Sequence, residues 1–212
     1  MDAVYAGAVP QTAALSAYAA RAAEYAEKLG SLEAVHPEDR RLISSWADSC
    51  PGKILDVGCG PGHWTDLLHR EGNEVEGVDP VSEFVSLAQS AFPRTRFRQA
   101  QAEDLGVPDR HLGGILAWYS LIHMDPSDLG DALAEFSRAL CPGGRLLIGF
   151  FEWSTIETFP HAVTEAYRWP VEDMTAALEA AGLTVEDAVT RQEAGARPHA
   201  ALISRRSGCR RC

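Results

Sequence analysis

The chain has 212 residues, 46% hydrophobic and 23% charged, with a formal net charge of −11. That size and balance suit one soluble domain with a substantial core, and no apolar run is long enough to span a bilayer. The acidic charge argues against nucleic acid, which would be repelled, and favours small-molecule or protein partners.

The N-terminus, MDAVYAGAVPQTAA, lacks a basic start and a continuous apolar segment, so it does not read as a secretory signal, and the expected location is cytoplasmic. The alanine-rich stretch from Ser16 to Leu29 reads as a helix closed by Gly30. A second helix follows, with Pro37 at its first turn, and Pro51-Gly52 breaks it. A regular alternation then begins. KILDV is a strand, GHWTDLLHRE a helix, EVEGVD a strand and VSEFVSLAQSAF a helix stopped by Pro93. RFRQA and GGILAWYS are the third and fourth strands, and PSDLGDALAEFSRAL is a helix with Pro126 at its start. GRLLIGFF is the fifth strand, followed by a long connection and the helix PVEDMTAALEAA. LTVEDAVT and HAALISRR end the series as two strands with no helix between them.

Strands alternating with helices predict a parallel sheet covered on both faces. The segment joining the last two strands is too short for a helical crossover, so the final strand is expected to run antiparallel. The expected fold is α/β: a doubly wound sheet of seven strands, mostly parallel, with a reversed last strand. One domain is expected over 1–212, with a core over 50–205, an N-terminal helical lid over 12–48 and a flexible tail over 206–212.

Five cysteines, odd in number and scattered, do not form a disulfide framework. Cys209 and Cys212 make a lone C-x-x-C in a basic tail, read as a solvated end.

In DVGCGPGHW the glycines Gly58, Gly60 and Gly62 follow the first strand. Such a loop turns tightly and lets backbone approach a ligand, with free helix amides beyond it. A dinucleotide site wants G-x-G-x-x-G, and His63 stands where that third glycine belongs. Asp79 ends the second strand, and a carboxylate there can take the hydroxyls of a ribose. Dinucleotides and sulfonium methyl donors both carry that ribose, so Asp79 alone does not choose between them.

ILDVGCGPGHWTDLL, VEGVDP, AQAEDLGVPD, GGILAWYSLIHM and LCPGGRLLIGFF together resemble the class I S-adenosylmethionine-dependent methyltransferases in order and spacing, over roughly residues 16 to 205. The resemblance implies a Rossmann-like fold whose last strand inserts between the fifth and sixth. It implies S-adenosyl-L-methionine as methyl donor, with S-adenosyl-L-homocysteine as product. Gly58, Cys59, Gly60 and Gly62 would lie along the methionine portion and ribose, Asp79 would bind the ribose hydroxyls, and Pro80 would pack beside the adenine. Gln101, Ala102 and Glu103 would form the adenine pocket, although many relatives have an acidic residue where Gln101 stands. Ala117 and Trp118 would lie under the donor. Tyr18, Arg21 and Tyr25 share one helical face, and in relatives that helix lids the donor, so Arg21 would meet its carboxylate.

The acceptor would sit at the carboxyl ends of the strands. The connection after the fifth strand, with Trp153, Phe159, His161, Tyr167 and Trp169, is expected to be an aromatic substrate wall. His123, His199 and Tyr119 are the candidates for proton transfer. His123 fits cofactor packing better than a base, His161 reads as solvated, and His63 as structural. No metal is expected. The reading is methyl transfer to a small, aromatic or partly apolar acceptor, oxygen first, with nitrogen or carbon open. A non-catalytic donor-binding protein is the alternative, and a nicotinamide-dependent oxidoreductase the third. A monomer or homodimer, with neither nucleic acid nor membrane as partner, is expected.

Overall fold

In a computed structural model, the structure describes residues 11–33 and 35–208. Of the tail expected over 206–212, Arg206 is instead held in the last strand, its guanidinium on the Arg138 and Leu140 carbonyls, while Cys209, Cys212 and the residues between them lie outside the described residues, as does the segment before Gln11. Among the described residues, Cys50, Cys59 and Cys141 are free thiols, and no helix is long and apolar enough to cross a membrane.

Two helices, α1 (Gln11–Leu29) and α2 (Pro37–Asp48), precede the sheet. α2 starts as its proline suggests, and the His36 side chain caps it by accepting from the Glu38 amide. The alternation follows as β1 (Ile54–Val57), α3 (His63–Arg70), β2 (Val75–Asp79), α4 (Ser82–Ala91), β3 (Arg96–Gln99), β4 (Leu112–Trp118), α5 (Leu129–Ala139) and β5 (Leu140–Phe151). The rest is β6 (Glu157–Pro160), β7 (Glu165–Arg168), α6 (Val171–Ala180), β8 (Leu183–Arg191) and β9 (His199–Arg206).

The main sheet has the order β3-β2-β1-β4-β5-β9-β8. β9 runs antiparallel to both β5 and β8, with His199 opposite Phe151 and Arg191. The remaining pairs are parallel, so the sheet has the seven strands and the reversed last strand that the sequence predicts.

The central strands β1, β4 and β5 are mostly apolar because both faces are covered, whereas the edge strands β3 and β8 carry exposed charged residues. Successive residues divide between the faces. Leu55, Ile115, Leu146, Ile148 and Leu202 pack under α5 and α6 with Phe136, Met174 and Leu178. Ile54, Leu116, Leu147 and Ala201 face the other way, onto Ile43 and Trp46 of α2 and Leu67 and Leu68 of α3. That two-residue alternation is the pleat of a strand buried on both sides.

Two elements differ from the sequence expectation. α5 begins at Leu129, not Pro126. Asp125 accepts from both the amide and the hydroxyl of Ser127, so the backbone closes a side-chain turn first and helix follows. The long connection after β5 is not a loop but contains the hairpin β6–β7, pairing Glu157 with Arg168 and Phe159 with Ala166. Glu157 and Arg168 also form an ion pair, and the Arg168 guanidinium lies 3.7 Å above the Trp153 ring.

Candidate functional site

The chain runs from β1 out to β3 on one side and from β4 to β5 on the other, so the topological switch falls between β1 and β4, where open α/β sheets bind ligands. The glycine loop leaves β1 there. The Gly58 and Cys59 amides both donate to the Val78 carbonyl, which fastens the loop to β2. Gly58, Gly60 and Gly62 have φ of +71°, +52° and +89°. The three do different work. A Cβ on Gly58 would lie 2.2 Å from the Ser120 side chain, across the gap to the chain leaving β4. A Cβ on Gly62 would lie 2.7 Å from the Phe97 ring, so this glycine lets α3 approach β3 and does not face the ligand. Around Gly60 there is open space, and that space is the cavity.

Asp79 is 5% exposed at the end of β2. One carboxylate oxygen accepts from the Gly60 amide at 2.9 Å, the other from the Val81 amide at 2.8 Å. Burial raises its pKa to about 6, against the opposing pull of those two amides. Each oxygen keeps a lone pair for a ligand. Asp56, one strand over and fully buried on Thr65, is raised to about 7 by burial. Its bond with Thr65 ties α3, the helix after the loop, back to β1.

Two adjoining cavities meet at this edge. The first is lined by Gly58, Gly60, Asp79, Pro80, Phe84, Gln101, Ala102 and Glu103, with Tyr18 and Tyr25 of α1 above them. The second is lined by His36, Asp39, Cys59, His63, Trp64, Ile122, Phe151 and His161. Tyr18, Tyr25, Gly58, Gly60, Trp118 and Tyr119 border both. The Ser120 hydroxyl borders the first, buried and without a hydrogen-bond partner.

α1 lies across the opening and is fastened at two points. The Tyr18 hydroxyl meets His123 Nε2 at 2.7 Å, and His123 Nδ1 meets the Glu165 carbonyl of β7 at 2.7 Å. Arg21 donates to the Ala162 carbonyl in the hairpin turn and pairs with Glu24. Arg21 therefore clasps the lid to the hairpin and does not line either cavity. Tyr18 and Phe84 each meet the Tyr25 ring edge to face, which packs α1 onto α4.

The hairpin contributes less wall than its aromatic content suggests. His161 reaches the second cavity and packs against His123 and Phe151. It is half-buried, not solvated, and burial lowers its pKa to about 4. Phe159 backs it from a small core with Ile122 and Ala166. Tyr167 bonds Asp125, Trp169 is buried in the main core, and Trp153 lies outside under Arg168, lining a surface groove instead. Ala117 is fully buried in the sheet. His63 lines the second cavity, with a pKa lowered to about 4 by burial, so it is more than a structural residue of α3.

His199 touches Tyr119 through Nδ1 and lies behind it, 5% exposed. His36, Asp39, Trp64, Phe151 and Ser120 also belong to this edge, and sequence reasoning missed them. His36 and Asp39 read as the cap and first turn of a helix. Nothing in their local spacing announces a cavity.

Residues 54–144 match the family model described as a methyltransferase domain. An uncharacterised methyltransferase of Mycobacterium tuberculosis is 33% identical over 94 residues, 44% of this chain and 37% of that protein. A malonyl-[acyl-carrier protein] O-methyltransferase of Erwinia billingiae is 33% identical over 106 residues, 50% of this chain and 41% of that protein. The chain spans less than half the length of these two relatives. The crystal structure of a Burkholderia thailandensis 1,6-didemethyltoxoflavin-N1-methyltransferase, bound to 1,6-didemethyltoxoflavin and S-adenosylhomocysteine, superposes with TM-score 0.76 at 23% identity, covering 98% of this chain and 93% of that one. At that identity the likeness shows the fold. Over residues 54–144 the chain is thus similar to a methyltransferase domain, and the glycine loop and the acid after β2 both fall inside that stretch.

Proposed function

We propose that this protein transfers a methyl group from S-adenosylmethionine to a small, aromatic or partly apolar acceptor, with oxygen the first acceptor atom and nitrogen or carbon after it. The observation that carries the reading is the pair of adjoining cavities with a shared aromatic border.

The residues of the first cavity fit the donor. Asp79 offers two carboxylate oxygens to a ribose, Gly60 leaves open space beside the loop, and the Ser120 hydroxyl lacks a partner. Pro80, Phe84 and the Gln101–Glu103 segment supply a flat apolar slot with polar edges for an adenine. When bound, the donor supplies a methyl group activated on a sulfonium. The chain's part is to align and to dry the reaction. Holding two reactants in line can supply roughly 7–11 kcal/mol. Tyr18, Tyr25, Trp118 and Tyr119 border both cavities, and such ring faces favour a sulfonium charge by cation–π attraction.

The second cavity offers Trp64, Phe151 and His161 to a flat acceptor and His36, Asp39 and His63 to its polar edge. The net charge of −11 supports a small molecule over a nucleic acid. The Erwinia billingiae relative is an O-methyltransferase, and the superposed structure is a 1,6-didemethyltoxoflavin-N1-methyltransferase. Both acceptor atoms therefore belong in the first screen.

The test has two arms. Thermal-shift titration with S-adenosylhomocysteine should stabilise the protein and NAD should not; stabilisation by NAD alone would sink the proposal. Phenols, N–H heterocycles and amines should then be screened with isotopically labelled donor. A protein that binds donor and labels none of them would be a donor-binding protein, not a transferase.

A further inference from the structure

Behind the second cavity a line of polar side chains joins three elements distant in sequence. Tyr119 borders the cavity with φ +55°, a left-handed conformation that a bulky residue adopts only where its surroundings impose it. Its amide donates to the Gly149 carbonyl at 3.0 Å, and its hydroxyl meets His199 Nδ1. Among the described residues that hydroxyl has no other hydrogen-bond partner. His199 Nε2 is buried and unbonded, with an Asp39 carboxylate oxygen 3.9 Å away. Asp39 is gripped by Arg191 through two bonds of 2.6 and 3.0 Å.

These partners select the tautomer. A ring lone pair at Nε2 would face a carboxylate oxygen, whereas an N–H is attracted to it. The proton therefore sits on Nε2, and Nδ1 accepts from the Tyr119 hydroxyl. The phenol oxygen then has lone pairs to offer the cavity. The Tyr18–His123 pair begins alike, but a neutral carbonyl stands behind that ring where His199 has a carboxylate to balance an imidazolium. The Nδ1 of His123 donates to the Glu165 carbonyl, and its Nε2 lone pair is taken by Tyr18.

Resting on the methyltransferase reading, we propose that Tyr119, His199 and Asp39 form a proton relay for an acceptor carrying an O–H or N–H. The Tyr119 oxygen takes the acceptor's proton while its own proton passes to His199 Nδ1. Asp39 holds His199 in the receiving tautomer and balances the imidazolium. The acceptor's X–H bond breaks and its electron pair forms the new bond to the methyl carbon, the departing sulfur keeping the old bonding pair. The proton on His199 returns to solvent after turnover. Tyr119 is the catalytic residue; His199 and Asp39 act through it. The logic is that of a nucleophile–histidine–aspartate triad, with a phenol in place of the serine and a small-molecule nucleophile beyond it.

The charged and titratable groups facing His199 are Arg191 of β8, His36 at the cap of α2, Asp39 of α2, Glu193 of the β8–β9 connection and Tyr119. Burial, Arg191 and His36 disfavour the imidazolium, and Asp39 and Glu193 favour it. The net direction is downward, so His199 is neutral and ready to receive a proton at neutral pH.

The decisive measurement is nitrogen NMR of the histidine side chains in the full chain, without donor or acceptor, across pH. The relay requires His199 to be protonated at Nε2 and to accept at Nδ1. Tyr119→Phe should change the Nδ1 resonance, and Asp39→Asn should move the titration of His199 to lower pH. Protonation at Nδ1 in the native chain overturns the relay without needing any variant to fold, and so does a titration that Asp39→Asn leaves in place. In turnover with an acceptor from the screen, Tyr119→Phe should lower kcat about 100-fold, with S-adenosylhomocysteine affinity retained. The acid limb of the Asp39→Asn rate profile should move to lower pH, which a merely structural aspartate would not cause. An unchanged kcat in Tyr119→Phe also overturns the proposal. Loss of S-adenosylhomocysteine binding in the native chain would instead count against the donor reading.

Discussion

The three loop glycines look alike in the sequence and separate by what surrounds them. Gly60 has open space beside it, whereas a Cβ on Gly62 would meet the Phe97 ring and the Ala88 methyl within 2.9 Å. Gly60→Ala should therefore fold, losing about 1–2 kcal/mol for its left-handed backbone, while S-adenosylhomocysteine affinity falls tenfold or more. Gly62→Ala should lose stability first, about 1–3 kcal/mol of overpacking beyond its own strain. Calorimetric titration and thermal melts on the two variants check the contrast, and equal profiles would contradict it. Asp79 makes a second prediction. Burial holds the free protein's carboxyl at about 6, above the ordinary range, and hydroxyl donors bond only its ionised form well. Ligand binding should then lower that pKa and release a proton. S-adenosylhomocysteine affinity should weaken as pH falls through 6, by up to about tenfold per unit. Titration calorimetry from pH 7.5 to 5 measures it, and a flat profile would remove Asp79 from the ribose.

Among the elements, α1 and the β6–β7 hairpin act as a pair. Tyr18 and Arg21 of α1 reach His123 and the Ala162 carbonyl, and His123 reaches β7. On the proposed reading, donor and product exchange opens this clasp. Tyr18→Phe keeps the ring over the cavity and deletes one bond worth about 0.5–1.5 kcal/mol. Amide exchange in α1 should accelerate, and S-adenosylhomocysteine should dissociate about 3–10-fold faster, measured by stopped flow. An unchanged off-rate would mean that the lid opens by another route. Here the sequence was half legible. The helix, its aromatic face and the richness of the later connection were readable from spacing. That the connection folds as a hairpin was not. Glu157–Pro160 and Glu165–Arg168 are short strands without clean alternation, and the hairpin backbone is anchored elsewhere, by the Tyr167 amide on the Ile122 carbonyl. Tyr167 and Trp169 are turned into the core by that anchoring, and Trp153 is left outside.

For the whole molecule, buried titratable groups pull stability in opposite directions. Asp56, raised to about 7, keeps its proton in the folded state at pH values where the unfolded chain has lost it. Its contribution therefore falls as pH rises from about 4 to 7. His63 and His161, held to about 4, stay neutral when folded, so theirs is lost as pH falls from about 6.5 to 4. Asp56→Asn keeps an acceptor for Thr65 and removes the first slope. Its melting temperature, relative to the native chain, should rise progressively between pH 4.5 and 8. A constant difference would mean that Asp56 ionises as an ordinary carboxylate.

The sequence by itself determined the sheet. Apolar runs of strand length, helices between them and a connection too short for a crossover fix a parallel sheet with a reversed end, because these are local properties of periodicity and chain reach. It also determined the glycine loop and the acid that ends β2, since backbone turning and a strand-end acid are local too. Tertiary structure alone decided the edge behind the second cavity. Asp39 on α2, Tyr119 after β4, Arg191 on β8 and His199 on β9 come together only when β9 inserts beside β5 and α2 packs on that face. No spacing along the chain encodes that meeting, because it arises from packing between elements up to 160 residues apart.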